Sequence, residues 1–209
     1  MSTRSSERGA LGARRRGRRL RWALAAVLAG ALAGGGTGEA LAGGWTFLPV
    51  KEEGFRAQPT LALTGGWVDP DTRLGGSAGA YGAELSFNCL LLQPPRNRIR
   101  TTLSYMRYDD QGLKLNDFEL NPHYVVELSE RLWVGGGPGI GLVKADTSGE
   151  DATMLAFQLG ASLHYRLNRL FLGAEARYQI TQSDRYGPAG NTDSGVNNFR
   201  VLAKVGLNL

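Results

Sequence analysis

The chain has 209 residues with 24 Lys and Arg, 19 Asp and Glu, and one cysteine, Cys89, in mid-chain, so neither a disulfide scaffold nor a lipoprotein anchor is available. The net charge of +5 is unevenly spread. Residues 1–42 hold eight arginines against Glu7 and Glu39, so the remainder carries about −1, which excludes a basic nucleic-acid-binding face.

In chain order, the basic block Arg14–Arg21 is followed by the apolar run Trp22–Ala33 and by Ala40-Leu41-Ala42. That order predicts a secretory signal peptide over residues 1–42, cleaved after Ala42. Glu39 and Gly34-Gly35-Gly36 make the same stretch poor material for an uncleaved membrane anchor. Residues 43–58, with Gly, Pro and charges intermixed, predict a short lead with no regular element of its own.

From residue 59 to 209 the chain alternates apolar and polar residues with period two, which predicts eight strands: Thr60–Val68, Ala80–Leu91, Arg98–Tyr108, Phe118–Leu128, Leu132–Ala145, Met154–Leu167, Phe171–Thr181 and Phe199–Leu209. The fourth is the most regular, with Phe118, Leu120, Pro122, Tyr124, Val126 and Leu128 opposing Glu119, Asn121, His123, Val125 and Glu127. The fifth sets Leu132, Val134, Ile140 and Leu142 against a glycine row, Gly135, Gly137, Gly139 and Gly141. The last sets Val201, Val205 and Leu207 against Arg200, Lys204, Gly206 and Asn208.

Connections are expected to alternate, short around residues 93–97, 129–131 and 168–170, and mostly longer around 69–79, 109–114, 146–152 and 182–198. Because backbone polar groups in lipid must pair internally, two-faced strands of even number fit a barrel closed on itself. The fold class read here is all-β, an eight-stranded antiparallel up-and-down transmembrane β-barrel, with both termini on the periplasmic side. A soluble lipocalin-like binding barrel with an apolar interior would show the same period. The glycine row on the polar face argues for apolar residues outside, and so do the aromatic residues Trp67, Tyr105, Tyr108, Trp133, Tyr165 and Tyr178 near strand ends, read as interfacial girdles.

The leader, the eight alternating strands, the glycine-rich Trp133–Gly141 and the terminal Val205-Gly206-Leu207-Asn208-Leu209 resemble the small outer-membrane β-barrel superfamily that includes opacity-type proteins and the OmpA, OmpX and OmpW barrels. The resemblance covers about residues 59–209. It implies location in the cell outer membrane and contact with its lipid, assembly by the barrel-assembly machinery, and a monomer. It brings no shared reaction. Leu209 departs from the aromatic residue on which such chains usually end.

With apolar residues outside, the lumen would carry Glu84, Arg98, Arg100, Glu119, His123, Glu127, Arg166, Glu175, Arg177, Arg200 and Lys204. An eight-stranded barrel is only just wide enough for side chains, so these charges are expected to pair into a plug rather than line a channel. A lipid-A-modifying enzyme is the rival function, and Ser162-x-His164 is its one close Ser/His pair, but both project inward. No phosphate loop, zinc spacing or nucleophile elbow occurs, so no catalytic, metal or cofactor residue is expected. The function expected is non-enzymatic: envelope integrity, surface contact or limited permeation of small solutes. Inside-out assignment is tested by charge: Leu159→Arg is expected to disrupt insertion and Gln158→Arg to be far milder.

Overall fold

The computed structural model describes residues 44–72, 74–96, 98–149, 151–186 and 192–209; the leader read over residues 1–42 lies outside them. Eight strands form one closed antiparallel barrel: β1 (Thr60–Pro70), β2 (Ala78–Asn88), β3 (Arg98–Asp110), β4 (Leu113–Ser129), β5 (Leu132–Thr147), β6 (Ala152–Leu167), β7 (Leu170–Thr181) and β8 (Asn198–Asn208). Each strand pairs with its chain neighbour. The sheet closes where β8 pairs with both β7 and β1, from Asn198↔Pro70 to Asn208↔Thr60, so the edges that would otherwise template aggregation are paired.

The connections depart from the expected alternation. β3 and β4 join through a two-residue turn, with Gln111 at φ 47 and Gly112 at φ 83, the left-handed pair of a hairpin whose twist matches its strands. As a result β4 begins at Leu113, five residues earlier than its regular alternation suggested. β2 ends at Asn88, and Cys89 lies just beyond it, buried, its N–H bonded to Ile99 O at 2.7 Å. Residues 43–58 are not without elements either. Thr46–Phe47 pairs with Leu92–Gln93, and Pro49–Lys51 forms a single 3₁₀ turn.

β3 to β6 span 13 to 17 residues, whereas β1, β2, β7 and β8 span 11 or 12. The four long strands therefore rise as a wall at the end opposite Thr60 and Asn208, here called the upper end. Below that wall the outward side chains are apolar and exposed, including Leu63, Leu85, Leu103, Leu120, Ile140, Phe157, Ile180 and Val205. In the wall the two faces exchange character. Arg107, Lys114, Lys144 and Asp146 point outward, while Met106, Leu113, Leu115, Val143, Ala145 and Met154 point inward into an apolar cluster with Val68, Tyr108 and Val196.

Elementary hydration explains the exchange. An apolar outside suits apolar surroundings, and a charged outside suits water. On β5 the outward apolar stretch runs from Leu132 to Leu142, about ten steps of about 3.3 Å along a strand tilted by about 40°, or about 25 Å of height. That matches the hydrocarbon band of an outer-membrane barrel. Two aromatic assignments change. Tyr108 and Trp133 point into the lumen, 0% and 7% exposed, and are not girdle residues.

Tight curvature is met with glycine. A Cβ on Gly82 would overlap the Tyr105 carbonyl and one on Gly206 the Leu61 carbonyl, because inward positions of a narrow barrel approach the neighbouring backbone. The upper end is covered by residues 71–72 and 74–77, where Gly76 N donates to Asp110 Oδ2 at 2.9 Å and Tyr108 OH donates to Gly76 O at 2.6 Å. Val196, fully buried, adds its side chain from the β7–β8 connection, its N–H held by Thr181 Oγ1 at 2.7 Å.

Candidate functional site

The middle of the lumen is a connected polar network whose charges come from β2, β4, β7 and β8, with Gln158 and Ser162 added from β6. Arg200 donates to Asp117 Oδ2 at 3.1 Å, to Gln158 Oε1 at 2.8 Å and to Glu119 Oε1. Glu119 also accepts from Ser104 Oγ at 3.0 Å and Asn121 Nδ2 at 3.1 Å. Lys204 bridges Glu175 Oε2, at 2.9 Å, and Glu84. Arg177 donates through Nε to Glu175 Oε1 at 2.8 Å and through Nη2 to His123 Nε2 at 2.9 Å.

Three cations, Arg177, Arg200 and Lys204, thus meet four carboxylates, Glu84, Asp117, Glu119 and Glu175, all nearly inaccessible. Arg200 reaches Asp117 and Glu119, and Arg177 reaches His123, so the network ties β7 and β8 to β4 on the opposite wall. The apolar cluster lies above this belt, and both are almost wholly buried. The arrangement can hold a barrel rigid.

Of the eleven residues read as lumen-lining, the structure brings Glu84, Glu119, His123, Glu175, Arg177, Arg200 and Lys204 into this belt. Arg100 lies lower and makes no ion pair among the described residues. It donates to Asn88 Oδ1, Thr60 Oγ1, Gln58 O and both oxygens of Ser86, at 3.1 to 3.3 Å. Arg98 and Arg166 sit at the lower mouth, 5.3 and 5.2 Å from the Trp133 ring. Glu127 pairs with Trp133 on the lumen-facing side of the sheet, but at the rim, where it is exposed and outside the belt; the register shifts only beyond it, before Ser129. Asp117 joins the belt although the alternation read from Phe118 onward stopped one residue short of it. Extending the inward series Glu119, Asn121, His123 backwards by two would have found it.

The Ser/His pairing also differs from the one suggested by spacing. Ser162 meets His123, not His164, with Oγ 3.1 Å from Nδ1. Since arginine can only donate, the Arg177 contact makes His123 Nε2 the acceptor and leaves Nδ1–H to donate to Ser162. A histidine that donates to the serine cannot take its proton, so this pair is not arranged as nucleophile and base. Gln158, expected to tolerate a charge, is 5% exposed and bonded to Arg200, so Gln158→Arg would set two guanidinium groups together; the expected mildness of that change does not hold.

No protein-family model matches the sequence, and no curated protein matches it. Solved structures do match. Neisserial surface protein A is 17% identical, with a TM-score of 0.52 over 72% of this chain and 97% of that one. The N-terminal β-barrel domain of OprF from Pseudomonas aeruginosa is 17% identical, with a TM-score of 0.44 over 74% of this chain and 100% of that one. Ail, the attachment invasion locus protein of Yersinia pestis, is 12% identical, with a TM-score of 0.45 over 73% and 99%. At these identities the likeness is one of backbone architecture, and the first of the three carries it. In fold, the chain stands with the small eight-stranded β-barrels of the outer membrane.

Proposed function

We propose that the protein is a non-enzymatic outer-membrane barrel with a closed lumen, a scaffold that acts through what its upper end presents rather than through what passes its interior. The observation that carries this reading is the exchange of polar and apolar faces between the lower barrel and the wall of β3 to β6, which supports a lipid-immersed band below and a water-exposed extension above. On this reading the lower end, where Thr60 and Asn208 lie, faces the periplasm. The wall and the connecting residues 71–72, 74–77, 182–186 and 192–197 face outward. The partners are then outer-membrane lipid around the band, the barrel-assembly machinery during insertion, and an extracellular surface met by the upper connections. The protein acts as a monomer, since closure leaves no barrel edge for strand pairing.

Two measurements test the reading. Expressed with its leader, the protein is expected in the outer-membrane fraction, migrating faster in detergent gels before boiling than after, since a closed barrel resists detergent until heated. Recovery as a soluble periplasmic protein would overturn it. Purified protein in planar bilayers is expected to give little or no current at neutral pH, because the belt and the apolar cluster block the bore. Steady, large single-channel currents would instead make permeation the function.

A further inference from the structure

The lower mouth of the lumen has a different chemistry from the belt. In the belt the buried atoms without partners are mixed, acceptors such as Asp117 Oδ1 beside donors such as Arg200 Nε, and small side-chain adjustments could pair them. At the lower mouth the atoms without a partner among the described residues are Trp133 Nε1, Arg166 Nε and His164 Nε2. The first two can only donate, and the third donates when it carries the proton. Trp133 and His164 are 7% and 4% exposed and directly opposite each other in the β5–β6 register, so neither is turned to open water.

Charge in this region has one sign. Arg98 and Arg166 both stand over Trp133, and Arg98, Arg100 and Arg166 lie close enough to act on one another. The opposite charges that reach them are Glu84, committed to Lys204, and Glu127, exposed at the rim without an ion pair among the described residues. Gln58 takes one donor from each of Arg98 and Arg100 through its side chain and its carbonyl, and does nothing for Arg166, Trp133 or His164. Crowded cations and buried donors without acceptors are costly unless something negative joins them. The half-buried Arg98 and Arg166 leave a way in from the rim.

We infer that the lower mouth is a binding site for a phosphate-sized oxyanion, held by Arg98, Arg166, the Trp133 indole N–H and His164, with Arg100 adding charge from deeper in the lumen. Planar guanidinium forks suit such an anion, and the indole and imidazole add directed donors. The inference goes beyond the scaffold reading and does not depend on it, because the site lies within the barrel whichever medium surrounds the barrel.

The test uses the refolded protein in detergent micelles with Trp22→Phe, Trp45→Phe and Trp67→Phe, so that Trp133 is the emitting indole. Sodium phosphate, glycerol phosphate and sodium chloride are titrated at matched ionic strength. Phosphate is expected to change Trp133 emission saturably and to raise the temperature at which the fast-migrating gel band is lost; chloride is not. An equal response to glycerol phosphate would assign the site to phosphate esters, and a response to inorganic phosphate alone to the free ion. Arg166→Gln should weaken half-saturation about tenfold or more, as loss of a charged donor does, while Arg169→Gln in the adjacent exposed turn should leave it unchanged. If Arg166→Gln fails to refold, Arg98→Gln gives the same reading. Equal, non-saturating responses to phosphate and chloride, or equal saturation in Arg166→Gln and Arg169→Gln, would overturn the site.

Discussion

Replacing Arg200 by Ala is expected to lower the stability of the folded barrel by about 3–5 kcal/mol, the cost of leaving buried charge uncompensated. Arg200 reaches Asp117, Glu119 and Gln158 from β8, and the three lie on β4 and β6 across the lumen. Its loss strands two carboxylates that stand two residues apart on one strand and are 0% and 8% exposed. The measurement is urea unfolding in lipid vesicles, followed by the loss of the fast-migrating band. A triple variant, Arg200→Met with Asp117→Asn and Glu119→Gln, should recover most of the loss, because it removes the charges rather than one side of them. A loss below about 1 kcal/mol for Arg200→Ala would show that water reaches the belt and screens it, contrary to its burial.

Much of this architecture was legible in the sequence, for a physical reason. Where one face of a strand meets lipid and the other a lumen, each residue must choose a side, and period two becomes visible in β4, β6 and β8. Legibility fails where that pressure changes. Above the lipid band the inside becomes apolar and the outside charged, so the series Asp117, Leu115, Leu113 no longer looks like the continuation of Glu119, Asn121, His123, although it is the same face of the same strand. Gln111-Gly112 hid the hairpin for a similar reason: glutamine is not the residue usually read as the first of a left-handed pair. Glu127 keeps the inward face that its spacing gives it, opposite Trp133, but alternation does not tell how high a residue lies, and this one sits at the exposed rim. The pairing of charges was beyond reading altogether. Arg200 and Glu119 are 81 residues apart and meet only because the sheet closes.

Leu159→Arg is expected to cost about 2–4 kcal/mol and to reduce the inserted fraction, whereas Thr153→Arg, six residues back on the same face of β6, should cost about 1 kcal/mol or less. Leu159 is 49% exposed at the level of Pro138 and Tyr178, well inside the apolar band, where a guanidinium must either lose its hydration or distort the bilayer. Thr153 pairs with Lys144 in the wall, where Lys144 and Asp146, 2.6 Å apart, already mark the outside as aqueous. Side chain, strand and face are shared between the two substitutions, so the difference between them measures the surrounding medium. The readout is the folded fraction after insertion into vesicles and its unfolding free energy. Equal costs at both positions would mean that the outer surface is uniformly wet, and the barrel soluble. A greater cost at Thr153 would place the bilayer around the wall and invert the orientation argued from the exchange of faces. A cost confined to Leu159 would set the upper edge of the lipid between these two rungs, at the same height as the change from Phe118 to Asn116 on β4 and from Leu142 to Lys144 on β5.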